Sequence, residues 1–289
     1  MNHETLFVEH RPVLLAAAYR ITGSRHDAQD VVQDAWLPWT GVDVASVRAP
    51  RTFLLVMVTR LALNAARGQR RRREEYVGPW LPEPVVDDGS PEWAVLHAEG
   101  LGLALDFVLS TLPPEQATAY VLRRVLDVDY PTIAEVVETS VVAARQLVSR
   151  AGRAVRSAVG DAVPEQPSRD AAALGRLTAA VLSGDVAQVA ALLAPDATLY
   201  SDGGGHAHAA LRPVQGRDKV ARFLLGAASR PGSVVSPALV NGSAGILVHE
   251  NGTLTTAAGL RAGADGVVGL YFVRNPDKLT ALAAQGVPH

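Results

Sequence analysis

Residues Pro50–Glu75 read PRTFLLVMVTRLALNAARGQRRRREE. Leu54, Met57, Val58, Leu61 and Ala65 recur at spacings of three and four, which predicts one long helix with a core-facing stripe. Arg60, Asn64, Arg67 and Arg71 follow each other at spacings of four, three and four, so they share a different face. Arg70, Arg71, Arg72 and Arg73 then form an unbroken basic block. A packed helix that carries an arginine ladder into a basic cluster is suited to lie along a phosphate backbone. The competing reading is a solvated helix end followed by a basic linker.

Working outward, the charge is regional. The 289 residues carry a net charge of only −2, so the whole chain gives no argument for a polyanionic partner. Residues 1–75 hold 11 arginines against eight acids, whereas residues 76–100 hold five acids and no base. There is no cysteine, which excludes a thiol nucleophile, a disulfide framework and a thiolate zinc site. MNHETLFVEH lacks the pattern of a signal peptide, and no apolar run approaches the ~18 residues of a membrane span. A soluble cytoplasmic protein of two or three domains, without membrane contact, is expected.

Upstream of the basic helix, Leu6, Leu14, Leu15, Ala18 and Ile21 predict a helix closed by Gly23. Ser24 is placed to cap a second helix, Arg25–Trp39, with Asp27, Asp30 and Asp34 along its outer side. Pro38 lies late in that helix and is placed to end it early. Downstream, YVGPWLPEPVVDDGSP (76–91) carries the prolines and acids of an extended linker, yet Trp80 and Leu81 require something to pack on. Helices over Pro113–Leu126, Pro131–Val137 and Val141–Val159, with a turn at Glu138–Ser140, lay out a helix-turn-helix. In the last helix Ala144, Leu147, Val148, Ala151 and Val155 face inward. Arg145, Gln146, Ser149, Arg150 and Arg153 face outward, the side-chain types that pair with base edges and phosphates. Gly152 interrupts the outward arginines and weakens the last turns of this helix.

A second linker, 161–169, precedes a change of style. Helices over Ala171–Ser183, Val186–Leu193 and Arg217–Ala228 accompany strands at Ala197–Ser201, Val234–Val240, Ala244–His249, Leu254–Leu260 and Gly266–Val273. Asn241-Gly242 and Asn251-Gly252 mark hairpin turns. Helices first and then a curled antiparallel sheet predict an α+β cone.

Six segments carry a family resemblance in this order: Phe7–Tyr19, Gly23–Trp39, Tyr76–Pro84 (YVGPWLPEP), Ser140–Ala151, Asp202–Gly205 (DGGG) and Asn275–Leu279 (NPDKL). Together they resemble extracytoplasmic-function (ECF) sigma factors with a C-terminal SnoaL-like domain, over nearly the whole chain. The resemblance implies a multidomain fold: region 2, an all-α bundle, at 1–75; an acidic proline-rich linker at 76–100; region 4, a helix-turn-helix, at 101–160; a linker at 161–169; and a SnoaL-like cone at 170–289. It implies that Asp27, Asp30, Gln33 and Asp34 dock on core RNA polymerase and that the Pro50–Arg73 helix helps open the −10 element. The helix-turn-helix would read the −35 element. It also implies a cone that restrains the sigma domains in place of an anti-sigma protein. Trp80, Leu81, Pro82, Glu83, Pro84, Asp202, Gly203, Gly204, Gly205, Asn275, Pro276, Asp277, Lys278 and Leu279 would be its interdomain elements. The loop Gly41–Ala49 holds no aromatic residue for base stacking, so Arg48 and Arg51 become the candidates for strand contacts.

Two other readings compete. SnoaL-like cones include small-molecule enzymes, whose work needs a pocket acid or base; the candidates are Asp196, Asp202, His206, His208 and His249. No acid–base pair is anchored to a strand, the Asp of a glycine turn is commonly a turn former, and His206 and His208 lack a third ligand, so neither enzyme, cofactor nor metal is expected. A cone pocket that binds a small ligand without turnover stays open. The second reading is a DNA-binding regulator that works without polymerase, which the acidic stripe and two separate DNA-facing regions argue against.

Overall fold

The computed structural model describes residues 2–86, 93–98, 102–159 and 166–283. Asp87, Asp88, Glu92 and Glu99 of the acidic linker, and 161–165 of the second linker, lie outside these residues. The chain divides into two compact units. One comprises Met1–Glu75, Gly89–Leu96 and Asp106–Ala158; the other comprises Tyr76–Asp88, His97–Leu105 and Val159–His289.

In the first unit, helix α1 (His3–Thr22) ends where Gly23 turns left-handed at φ 69° and donates its N–H to the Tyr19 carbonyl at 2.6 Å. Ser24 Oγ then accepts from the Asp27 N–H at 3.1 Å and starts α2 (Arg25–Asp34). The expected single helix to Trp39 is interrupted at Ala35, and a short α3 (Trp36–Thr40) follows. Pro38 explains the break, because its ring opposes the carbonyl four residues earlier, that of Asp34. Trp39 is fully buried and its indole N–H donates to the His3 carbonyl at 2.9 Å.

Helix α4 (Pro50–Glu74) spans the decisive stretch, with Pro at its first position, where no N–H is needed. Its buried stripe is Leu54, Leu55, Val58, Thr59, Ala62, Leu63, Ala66 and Gln69, while Met57, Leu61 and Ala65 are only half-buried. The stripe is rotated from the expected one because α4 packs against both α1 and α2, and a polar Thr59 is admitted by donating its hydroxyl to the Leu55 carbonyl at 2.6 Å. Helices α5 (Ala94–Ala98) and α6 (Gly102–Thr111) follow. Helix α7 (Pro114–Tyr120) runs into a π turn, Val121–Val125, and so is shorter than expected. Helices α8 (Tyr130–Val136) and α9 (Val141–Val159) are joined through Glu138 at φ 55°. Both α7 and α8 pack on α4.

In the second unit, α10 (Gln166–Ser183) and α11 (Val186–Ala191) lead into β1 (Leu193–Asp202) and β2 (Val214–Gln215). Helix α12 (Arg217–Ala228) precedes β3 (Ser233–Val240), β4 (Ser243–Glu250), β5 (Thr253–Gly263) and β6 (Gly266–Val273), and α13 (Pro276–Ala283) ends the element order. Both Asn-Gly turns have positive φ at both residues, the requirement of a two-residue hairpin. Ala173, Leu177 and Ala180 of α10 and Val220, Ala221 and Leu224 of α12 pack with Leu199, Leu260, Val267 and Leu270 of the sheet.

This sheet corrects the expected SnoaL-like cone. Its strand order is β2-β1-β6-β5-β4-β3, open, with β2 and β3 as unjoined edges. It is also not wholly antiparallel, because β1 pairs parallel to β6, Leu199 opposite Leu270. Closure of a sheet removes both edges, and here none of the named strands bridges β2 to β3. The ideas that depended on a closed cone, a built-in substitute for an anti-sigma protein and a small ligand held inside it, lose their support with the cone itself. The helices and the open sheet do leave a cavity of about 420 Å³ lined mainly by apolar side chains. Two of its arginines, Arg230 and Arg274, are both paired with Glu250, at 3.1 and 3.3 Å.

Candidate nucleic-acid interface

The helix-turn-helix presents one of three polar surfaces in the first unit. Asp129 and Ser140 accept backbone N–H groups at the starts of α8 and α9, from Thr132 at 2.9 Å and Ala143 at 3.1 Å. These caps hold the tight turn that sets the two helices across each other. Ala144, Val148, Ala151 and Val155 bury one side of α9, and Gly152 is buried with them against Tyr120. Arg145, Gln146, Ser149, Arg150 and Arg153 are all exposed on the other. Arg145 lies over the Tyr130 ring at 5.3 Å, and Arg153 donates to Ser149 Oγ at 3.0 Å. The surface is a row of donors carried on a packed helix.

The second surface is the outer side of α4. Arg48, Arg51, Arg70, Arg71 and Arg72 are exposed. Arg60, Asn64 and Arg67 are exposed as well, but two of them have partners on the helix-turn-helix side of the same unit. Arg60 Nη2 donates to Glu135 Oε1 at 2.9 Å and to the Glu135 carbonyl at 3.2 Å. Arg67 Nε donates to Glu115 Oε1 at 2.9 Å, and its Nη1 donates to Asn64 Oδ1 at 3.3 Å. Arg73 departs furthest from a solvated position. It is half-buried and donates to the carbonyls of Thr22 and Ser110 and to Gln69 Oε1. Burial lowers its guanidinium to about 10, partly offset by the nearby charge of Asp27.

The third surface is acidic. Asp30, Gln33 and Asp34 are exposed on α2, and Asp30 faces His26 at 3.4 Å. Asp27 is set apart from them, since its carboxylate accepts from Gln69 on α4. Glu115, Glu135 and the fully buried pair Arg20–Asp106, at 2.8 Å, carry no sequence signal that names their partners; they are separated from them by 48 to 86 residues.

In the second unit, WLPEP, DGGG and NPDKL converge. Asp202, at the end of β1, is fully buried and accepts from Tyr76 OH at 2.6 Å, Leu81 N–H at 2.8 Å, Gly204 N–H at 3.1 Å and Lys278 Nζ at 2.7 Å. Lys278 also donates to the Leu81 carbonyl and lies over the Trp80 ring at 3.9 Å. Asn275 Nδ2 donates to Tyr76 OH at 2.7 Å and its Oδ1 caps α13 through Asp277 N–H at 3.0 Å. Leu81, Pro82, Pro84 and Leu279 are buried, Glu83 and Pro79 half-buried, and Pro276 opens α13 exposed to solvent. The glycines are required by space: a Cβ on Gly203 would meet Ala209 Cβ at 2.7 Å, and Gly204, at φ 60°, sits against Asn275, while Gly205 faces Val77. Further along, Asn241 Oδ1 accepts from Val85 N–H at 3.0 Å while its own N–H donates to the Val85 carbonyl at 2.7 Å. Burial and the hydrogen bond to Asp202 raise the Tyr76 hydroxyl far above its ordinary range. Asp202, an acid–base candidate from sequence, is thus a structural anion with four donors. Among the described residues no three His, Asp or Glu side chains gather as a metal site.

A helical body with a packed basic helix, followed by a capped helix-turn-helix, is the build of the sigma-70 class. Models of that class match here: sigma-70 region 2 over residues 6–72 and sigma-70 region 4 over residues 102–155. Within it the chain is 41% identical to the ECF RNA polymerase sigma factor SigJ of Mycobacterium tuberculosis, covering 93% of this chain and 91% of that protein. It is 25% identical to the probable ECF RNA polymerase sigma factor SigI of the same species, over 96% and 94% of the two chains. The crystal structure of Mycobacterium tuberculosis SigJ superposes with a TM-score of 0.76 at 36% identity, over 94% of this chain and 96% of that one. The chain belongs to the ECF RNA polymerase sigma factors. It is therefore a transcription factor and not an enzyme. Among the described residues no helix is long and apolar enough to cross a membrane.

Proposed function

We propose that this protein binds core RNA polymerase and directs it to a particular class of promoters. Helix α9 reads one promoter element in the major groove through Arg145, Gln146, Ser149, Arg150 and Arg153, the −35 element by family resemblance. The exposed arginines of α4, with Arg48 and Arg51 before it, hold the backbone around the −10 element. The exposed acidic face of α2, Asp30, Gln33 and Asp34, meets the polymerase, with Asp27 holding the base of that helix against Gln69. Such a protein works in the cytoplasm, where transcription takes place.

The observation that carries this reading is the two-sided burial of α9, apolar residues inward and five donors outward, in the same unit as a second basic helix. The test is in vitro transcription with core polymerase, paired with gel shifts on the same promoter. Weak binding by the protein alone and strong binding with polymerase is the expected result. Failure to support any transcript refutes the reading, and equally strong binding without polymerase would make the chain a polymerase-independent regulator.

A further inference from the structure

The outer face of α4 is arranged for phosphates, yet in this structure two of its guanidinium groups are engaged by carboxylates of the same unit. Arg60 and Arg67 are seven residues apart, about 10.5 Å along the helix and nearly on one line. That rise spans about three phosphate-to-phosphate steps of one strand, at ~3.4 Å each along a duplex axis. Glu135 on α8 and Glu115 at the start of α7 take these two positions at 2.9 Å each, and Asn64 completes the row through Arg67. Both pairs stay open to solvent: the four side chains are between 33% and 63% exposed. Exposed pairs of this kind are weak and screened by salt, so an incoming polyanion can displace them. The Arg20–Asp106 pair in the same unit is 1% and 2% exposed and has no such access.

We propose that Glu115 and Glu135 are internal occupants of the phosphate positions on α4, which DNA must displace before Arg60 and Arg67 can hold its backbone. The ligand that competes is a phosphodiester chain, and the proposal rests on α4 being a DNA-facing helix as argued above. The free protein is thereby kept from engaging nucleic acid at large, and only a partner that supplies several further contacts tips the exchange.

The test uses the full chain and a fluorescein-labelled single-stranded DNA oligonucleotide, without polymerase, across a salt series. E115Q/E135Q is compared with the wild type and with E4Q/E9Q. The latter removes two acids exposed on α1, giving the same net charge without touching α4. Freeing two guanidinium groups steepens the salt slope by about 1.4, at ~0.7 per phosphate contact on a single strand, and tightens binding roughly five- to tenfold at low salt. E4Q/E9Q leaves the slope unchanged, and adding R60Q/R67Q to E115Q/E135Q removes the gain. An E115Q/E135Q chain with wild-type slope and affinity overturns the proposal. So does a slope that steepens equally in E4Q/E9Q, which would be a net-charge effect only. Transcription with core polymerase on the wild type separates the two levels. If it proceeds while the slopes coincide, the internal occupancy alone is wrong; if it does not proceed, the sigma reading falls and takes this proposal with it.

Discussion

Lys278→Met tests the junction of WLPEP, DGGG and NPDKL most directly. The ammonium is the only cation among the four donors to Asp202, a carboxylate with no solvent exposure. Removing one partner of a buried pair leaves the other charge uncompensated, which typically costs 3–5 kcal/mol. Three donors remain, Tyr76 OH and the N–H groups of Leu81 and Gly204, so the lower end applies, about 3 kcal/mol. Methionine replaces most of the aliphatic stem but not the ammonium, which also lies 3.9 Å from the centre of the Trp80 ring, so the loss is chiefly electrostatic. Amide hydrogen exchange read on the peptide covering residues 76–86 is the assay, because the Leu81 N–H bonds directly to Asp202 and reports local opening. Exchange there should quicken by about 150-fold, at about 1.4 kcal/mol per factor of ten. Asp202→Asn alone should act in the same direction, since it sets an amide against a buried ammonium. The double variant should lose much less than the sum of the two, because both charges are then gone. Unchanged exchange in K278M, or a double variant as damaged as the sum, would refute the reasoning.

The remaining expectations are simpler. Asp106→Asn removes the negative charge that faces the Arg20 guanidinium in a site with 1% exposure and should lower the stability of the first unit by about 3 kcal/mol, read by denaturant unfolding of the full chain. Gly23→Ala places a Cβ at φ 69° and should cost roughly 1–2 kcal/mol, seen as a lowered melting temperature. Arg145→Ala with Arg150→Ala should reduce transcription from the cognate promoter by tenfold or more, while far-UV circular dichroism stays as in the wild type; retained transcription removes α9 from promoter reading. The Glu115 carboxyl is raised by burial, but the hydrogen bond from Arg67, its own backbone N–H and the charges of Arg67 and Arg70 outweigh this and hold it below its ordinary value. Because the folded value is the lower one, its contribution is present above the ordinary carboxylate value and is lost as pH falls through the lower, folded one. The acid limb of unfolding should therefore be shallower in E115Q than in the wild type.

The local features were legible in the sequence for a local reason. Gly23, Ser24 and Ser140 act on backbone groups within four residues, and the Asn-Gly pairs fix their own turns, so spacing alone places them. The outward row on α9 follows from a 3.6-residue period applied to one packed helix, and the structure exposes those five residues. On α4 the same period found the helix but not its inner line. Two neighbouring helices share its burial, and the stripe widened to include Thr59 and Gln69, which no apolar pattern marks.

Sequence by itself therefore determined the caps at Gly23, Ser24 and Ser140, the hairpins and the outward row of α9, all set by contacts along the chain. Tertiary structure alone decided which charges meet: Arg60 with Glu135, Arg67 with Glu115, Asp202 with Lys278, across 48 to 76 residues. It also decided that β1 lies parallel beside β6 and that β2 and β3 are not paired with each other, which leaves the sheet open. Local periodicity specifies which face of an element is polar or apolar, but the partner of a buried or paired charge is fixed only when distant segments compete for the same space and the same hydrogen bonds.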